Sequence, residues 1–299
     1  MSEHHGHAKL SGSKLLWTIL LNISITLAQF IGGILSGSMA LLSDAVHNLS
    51  DVISLVVSYV ANRLARRKAT TDKTFGYKRA EIIAAFINAT SLILIAVWLI
   101  YESILRLLSP SEIEEVTVIY LSLIAIMGNG LSVLLLKNQK ENNLNIRSAY
   151  IHLFSDLLAS VAVLIGALAI SFFNWHIIDP ILSIAISIYL IYLSYDLLKD
   201  SMQILMLYTP YEVNLNEVIQ AVHAFSEVKK LHHIHIWKLN ETEIHLEAHI
   251  DLNENLDLKA FNVLQQRIEQ MLLDRFKINH ITLQPEYNKD DSKAFIVQD

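Results

Sequence analysis

The sequence contains no cysteine and only 4 prolines in 299 residues, and charged residues make up 17% of it. Without cysteine, disulfide bonds and thiolate metal ligands are excluded, so any bound metal must be held by His, Asp or Glu. The charged fraction is below the roughly 25% of a typical soluble domain, and 53% of the residues are hydrophobic. The composition therefore predicts a membrane protein with room for a modest soluble domain. The net charge of −6 argues against a nucleic-acid partner.

Six apolar stretches are each long enough to cross a lipid bilayer as a helix, which takes about 20 residues. They cover residues 15–35, 39–61, 80–105, 116–136, 149–173 and 180–198. Seven Lys or Arg residues lie between the second and third stretches, and three lie between the fourth and fifth. The loops on the other side, residues 36–38, 107–115 and 174–179, contain none. The positive-inside rule then predicts an integral, multi-pass membrane protein with both termini in the cytoplasm.

The sequence pattern changes near residue 205 to that of a small α+β domain. It predicts the order α-β-β-α-β, with elements over residues 215–225, 228–239, 243–252, 258–276 and 280–284. We therefore predict four parts of the chain. They are a cytoplasmic, histidine-containing tail at 1–14, a six-helix transmembrane domain at 15–204, a cytoplasmic α+β domain at 205–287 and a polar tail at 288–299. We expect the last of these to be mobile.

Two His/Asp pairs lie within the apolar stretches. His47 and Asp51 lie in the second stretch, and each is four residues from the other, one helical turn apart on one face. His152 and Asp156 repeat this spacing in the fifth stretch. A charged side chain near the bilayer centre costs about 2.5–3.5 kcal/mol on insertion scales. A polar stripe between packed helices is one interpretation, but two such pairs favour a four-coordinate Zn2+ site that tolerates Cd2+ or Co2+.

Asp44 shares a helix face with His47 and Asp51 but lies two turns from Asp51. We interpret it as a residue that supports the ligands or lines the entry path. Metal binding requires a neutral His and an ionised Asp, so metal ions and protons compete for the same groups. This competition is a physical basis for exchanging a metal ion for protons.

Five segments between residues 38 and 286 match a known family. They are S-M-A-L-L-S-D-A-V-H-N-L-S-D-V, F-G-Y-K-R-A-E-I-I-A-A-F-I-N, N-N-L-N-I-R-S-A-Y-I-H-L-F-S-D, H-H-I-H-I-W and H-I-T-L-Q-P-E. On these segments the chain resembles the cation diffusion facilitator family, close to the bacterial cadmium/cobalt/zinc resistance efflux proteins and the vesicular zinc transporters. The resemblance implies a homodimer of six-helix protomers with cytoplasmic domains of metallochaperone-like fold. We expect the bacterial cell (inner) membrane as its location.

The same resemblance implies a set of transport-site ligands, namely His47, Asp51, His152 and Asp156. Manganese-type members carry Asp pairs at both positions, so the His in each pair points to a zinc-type member.

The resemblance also implies metal ligands in the cytoplasmic domain. His232, His249 and Glu286 match ligating positions of the family, and His280 lies near another one. Zinc would then have two roles: it is the transported substrate, and when bound to this domain it is a regulatory ligand. A solvated polar strand face is the alternative for this domain. The N-terminal His4, His5 and His7 either capture metal loosely or are incidental.

Three functions are compatible with these residues. The first is a transporter, not an enzyme, that exports zinc, and with it cadmium or cobalt, in exchange for protons by alternating access. The second is a passive divalent-metal channel, and the third is a membrane-anchored metal sensor or enzyme. Metal ligands deep in two apolar stretches argue against the third. A closed four-ligand site binds too tightly for rapid conduction, which favours the transporter.

Overall fold

The computed structural model describes residues 12–136, 144–290 and 292–297. Within its helices, the side chains of residues 12–22, 55, 58, 135–136, 144–149 and 151–152 are outside the described part. The chain divides into two compact units at 57/58, 86/87 and 196/197. We call the first the membrane unit (up to residue 57, and 87–196) and the second the C-terminal unit (58–86, and from 197 onward).

Six long helices precede the small domain in the described residues. They are α1 (Gly12–Ser36), α2 (Met39–Ala65), α3 (Ala80–Leu108), α4 (Glu115–Leu136), α5 (Leu144–Phe173) and α6 (Ile178–Leu205). Among the residues that the structure describes, five of these helices, α2 to α6, are long and apolar enough to cross a membrane. An apolar helical segment also runs from Ile23 to Ser36 in α1. The predicted helical membrane region is therefore confirmed.

Packing within the membrane unit uses small residues where helices approach closely. In α1, a Cβ atom on Gly33 would lie 3.0 Å from the backbone of Leu42 in α2, so only glycine fits this contact without movement. On α3, the apolar side chains of Ile87, Leu94 and Trp98 are more than half exposed along one face. In a bilayer this face contacts lipid, which is the environment that such side chains prefer.

The carboxylate of Asp179, in the first turn of α6, caps the amino end of α2. It accepts hydrogen bonds from the backbone N–H groups of Met39 (2.7 Å) and Ala40 (3.3 Å), and from the hydroxyl of Ser38 (2.5 Å). The first N–H groups of a helix lack partners within the helix, and an anion there also interacts favourably with the helix dipole. This contact fixes where α2 starts, eight residues before His47.

The C-terminal unit contains the predicted order α-β-β-α-β. Its elements are α7 (Leu215–His223), β1 (Val228–Lys238), β2 (Ile244–Leu252), α8 (Leu258–Phe276) and β3 (His280–Glu286). The strands form a sheet in the order β1-β2-β3. β1 and β2 are antiparallel neighbours, whereas β2 and β3 are parallel, so the chain must cross over between them through α8. The predicted α+β fold of this domain is confirmed.

One face of α8 forms the core of this domain. Asp257 caps the helix by accepting a hydrogen bond from the N–H of Ala260 (2.7 Å). Leu264, Ile268 and Leu272 recur at every fourth position, are buried, and pack with the apolar residues of the sheet. Because successive strand residues point to opposite faces, only every second residue of β2 packs in this core, and the residues between them face away from α8.

Replacing Asp179 by Ala is expected to destabilise the membrane unit. The variant leaves the first N–H groups of α2 without their buried acceptor, which typically costs about 1–3 kcal/mol. The apparent melting temperature of the full chain in detergent measures the loss, and Asp196→Ala, an exposed aspartate on the same helix, is the control. Equal melting temperatures for the two variants would show that the cap contributes no net stability.

Candidate metal sites

The membrane unit brings His47 of α2 next to Asp156 of α5. The His47 Nε2 atom lies 3.3 Å from Asp156 Oδ1, and its Nδ1 atom lies 3.7 Å from Asp51 Oδ2, one turn further along α2. The side chains of His47 and Asp156 are buried, and that of Asp51 is partly exposed. The structure thus gathers three of the four predicted transport-site residues into one cluster.

The fourth residue, His152, is part of helix α5, but its side chain lies outside the described part of the structure. The helical backbone places it one turn before Asp156. Its role as a ligand stays a prediction. His4, His5 and His7 also lie outside the described residues.

Asp44, one turn before His47 on α2, is held by two neighbouring helices. Its Oδ2 atom accepts hydrogen bonds from the Gln29 amide of α1 (2.8 Å) and the Ser160 hydroxyl of α5 (3.1 Å). Asp44 is buried. It therefore links α1, α2 and α5. Its role as a supporting or entry-path residue stays a prediction.

The charges of the His47, Asp51 and Asp156 side chains determine which ions the membrane cluster attracts. With a neutral His47, the carboxylates of Asp51 and Asp156 leave two negative charges close together in an apolar unit. A buried charge is costly unless it is compensated. A divalent cation between these groups compensates both charges, and a proton on His47 compensates one. Imidazole and carboxylate groups are of the kind for which metal ions and protons compete.

The second cluster lies on the sheet of the C-terminal unit. The Glu286 carboxylate of β3 has one oxygen 3.2 Å from His232 Nε2 and the other 2.9 Å from His249 Nδ1. One possible ligand atom from each of these three residues lies within 4.8 Å of the other two. His232 and Glu286 are buried, and His249 is partly exposed. Two imidazoles and a carboxylate at this spacing fit a Zn2+ ion, which prefers four nitrogen, oxygen or sulfur ligands.

Strand register explains how these residues meet. His232 of β1 pairs directly with His249 of β2, and Asp251 of β2 pairs with Glu286 of β3. His249 and Asp251 are two residues apart on one strand, so they point to the same face. The cluster therefore extends across all three strands, on the alternate residues of β2 that do not face α8.

The structure does not bring His280 to this cluster. His280 begins β3, six residues before Glu286, which corresponds to about 20 Å of extended strand. It pairs instead with His245, and the two ring centroids lie 4.3 Å apart. The His245 ring also stacks on Trp237 at 5.3 Å. Burial lowers the pKa of His245, and the neighbouring His280 lowers it further.

Two residues at the C-terminal cluster were not predicted. Asp251 has one oxygen 3.8 Å from His232 Nε2, and its alternation with His249 along β2 was a signal that could have indicated it. Lys293 Nζ lies 3.2 Å from the same His232 nitrogen. Lys293 belongs to the polar tail that we expected to be mobile, and no local pattern marks it. The structure places Ala294 and Phe295 of that tail in hydrogen bonds to β1.

A cluster of possible metal ligands between facing apolar helices is what a membrane transporter for metal cations requires. Comparison with known families supports this class. Residues 15–206 match the family model of the cation efflux transmembrane domain, and residues 210–288 match that of the cation efflux protein cytoplasmic domain.

The chain is also similar to characterised relatives over most of its length. A cadmium, cobalt and zinc/H(+)-K(+) antiporter of Bacillus velezensis is 37% identical over 298 residues, covering 98% of this chain and 95% of the relative. Zinc transporter ZitB of Pectobacterium atrosepticum is 36% identical over 294 residues, covering 97% and 91%. Metal cation efflux system protein CzcD of Cupriavidus metallidurans is 35% identical over 288 residues, covering 96% and 90%. The chain belongs to the cation efflux family, and the predicted family is confirmed.

Replacing both His232 and His249 by Ala is expected to abolish zinc binding to the C-terminal domain, because it removes both imidazole ligands. Zinc titration of the domain expressed from residue 205 measures the loss. His280→Ala is the matched control, since it removes an imidazole at the other end of the sheet. Zinc binding by the double variant equal to that of the parent would show that the ligands lie elsewhere.

Proposed function

We propose that this protein exports Zn2+ from the cytoplasm in exchange for protons, by alternating access to the membrane cluster. The single observation that carries the proposal is the 3.3 Å contact between His47 Nε2 and Asp156 Oδ1, which joins two apolar helices of the membrane unit. The ion is held by four residues, His47, Asp51, His152 and Asp156.

The ligand types support zinc as the main substrate. Imidazole suits Zn2+ and Co2+, whereas Mg2+ and Ca2+ prefer oxygen ligands alone. The names of two of these relatives, the antiporter and ZitB, include zinc, and that of the antiporter also includes cadmium and cobalt. We infer the same substrate class here, with Cd2+ and Co2+ as further substrates.

Proton exchange follows from the groups that bind the ion. A histidine with an ordinary pKa titrates near physiological pH, so a metal ligand of this type is readily protonated when the metal leaves. Protons entering from an acidic exterior favour release of Zn2+, and the neutral cytoplasm favours its binding. A proton gradient is thereby coupled to zinc export.

The remaining parts of the proposal concern assembly, location and regulation. We infer a homodimer in the bacterial cell (inner) membrane, with both termini in the cytoplasm and boundaries near residues 15, 205 and 288. Zinc at the C-terminal cluster acts as a regulatory ligand. A ligand that binds one conformation more tightly than another stabilises that conformation, so cytoplasmic zinc biases the transporter towards it.

Zinc flux into inside-out vesicles is expected to rise when the vesicle lumen is made acidic relative to the medium. In such vesicles the lumen corresponds to the cell exterior, so the imposed gradient drives protons out against zinc entry. Asp51→Ala and Asp156→Ala should each lower the flux by at least about 10-fold, since replacing even residues that only orient metal ligands costs 10–100-fold.

Asp196→Ala, an exposed aspartate outside the cluster, is the control and should transport normally. A zinc flux that does not change with the pH gradient would favour the passive channel. Substantial flux by Asp156→Ala at matched protein levels would refute the assignment of the membrane site.

Loss of the C-terminal cluster is expected to change the zinc dependence of transport and not its maximal rate. The His232→Ala/His249→Ala variant retains the membrane cluster but lacks the regulatory ligand, so half-maximal flux should require more zinc. Initial flux rates over a range of zinc concentrations measure this shift. An unchanged zinc dependence, with zinc binding to the domain abolished, would refute the regulatory role alone.

A further inference from the structure

The ammonium group of Lys293 lies within the C-terminal cluster. Its Nζ atom is 2.9 Å from Glu286 Oε2, 3.1 Å from Asp251 Oδ1 and 3.2 Å from His232 Nε2. A lysine ammonium has three N–H donors and no acceptor, so it can donate to both carboxylates and, in the tautomer that carries its proton on Nδ1, to His232 Nε2 as well.

The main chain of the tail holds Lys293 in this place. The N–H groups of His233 and Ile234 donate hydrogen bonds to the carbonyl oxygens of Ala294 (3.1 Å) and Phe295 (2.8 Å). Both donors lie on β1, an edge strand, at an irregularity of its pairing with β2. Exposed edge groups of a sheet bind an added segment in this way. The position of Lys293 therefore depends on backbone pairing as well as on its own charge.

Zn2+ and the ammonium group cannot occupy the cluster together. A neutral imidazole nitrogen has a single lone pair, and the Lys293 ammonium lies 3.2 Å from His232 Nε2, where it faces that lone pair. A zinc ion bound to this nitrogen, at about 2.0–2.1 Å, needs the same lone pair. The ion would also share the Glu286 carboxylate with the ammonium, and the two cations repel each other.

We propose that Lys293 is an internal cationic ligand of this cluster, and that Zn2+ binds there by displacing it. The inference rests on the cytoplasmic zinc site of the proposed function. The affinity for zinc is then reduced by the fraction of molecules in which Lys293 occupies the cluster. Mg2+ and Ca2+ gain little from imidazole ligands, so they displace the ammonium poorly. Lys293 thus lowers the affinity of the cluster for every cation, and the imidazole ligands decide which cation binds tightly enough to displace it.

Zinc titration of the full chain tests the displacement. An Asp51→Ala/Asp156→Ala background removes the carboxylates of the membrane cluster, so that the titration reports the C-terminal cluster. In this background Lys293→Met, which keeps the length of the side chain without its charge, should bind zinc about 10-fold or more tightly than the unmodified cluster. Lys293→Arg, which keeps the charge, should not tighten binding.

Lys259→Met, a substitution of an exposed lysine at the start of α8, is the matched control and should leave the affinity unchanged. Equal or weaker zinc binding by Lys293→Met would overturn the proposal. Absence of zinc binding in the background itself would show that the cytoplasmic zinc site fails, and the inference would fail with it.

A second measurement does not depend on any variant at position 293. In the same background, the rate at which an amine-reactive ester acetylates Lys293 should rise when zinc is added, because the displaced ammonium becomes accessible. Mass spectrometry measures this rate, with Lys259 as the internal reference. An unchanged or lower rate for Lys293 at saturating zinc would overturn the proposal.

Discussion

The arrangement of the membrane unit depends on buried carboxylates that each find a partner on another helix. An apolar environment makes an unpartnered carboxylate costly, so these contacts restrict how the helices can be placed. Asp179 of α6 binds the amino end of α2, Asp44 of α2 binds α1 and α5, and Asp156 of α5 meets His47 of α2. Helix α2 takes part in all three contacts. The positions of the predicted ion ligands on α2 are therefore set by the same interactions that hold the helices together.

The membrane cluster is built on α-helices, whereas the C-terminal cluster is built on a β-sheet, and this difference affects how each can move. In the membrane unit, predicted ligands four residues apart on a helix form one side, and a second helix supplies the other. Relative movement of the two helices would change such a site, as alternating access requires. In the C-terminal unit, the ligands are neighbours across a hydrogen-bonded sheet, where the register of the strands fixes their spacing. A site of this kind suits sensing better than transport.

Features with a short-range or periodic signal were predictable from the sequence. The α8 helix has the predicted bounds because its apolar residues recur with the helical period. Helix α2 continues to Ala65, beyond its apolar stretch, because the change from apolar to polar residues does not interrupt the backbone hydrogen bonds of a helix. His232, His249 and Glu286 were identified through the family resemblance. The separation of His280 from them depends on the parallel register of β3, and the position of Lys293 depends on a contact between distant parts of the chain. Neither leaves a local pattern.

The pairing of the tail with β1 also restricts how copies of this chain can associate. An open edge strand is a template onto which another chain can add and extend the sheet, and such addition is a route to aggregation. At His233 and Ile234 the backbone N–H groups are already bound to the carbonyl oxygens of Ala294 and Phe295. While the tail is in place, a second protomer cannot continue the sheet at these positions. A homodimer must then form through a different surface, and displacement of the tail would expose new backbone donors for partner binding.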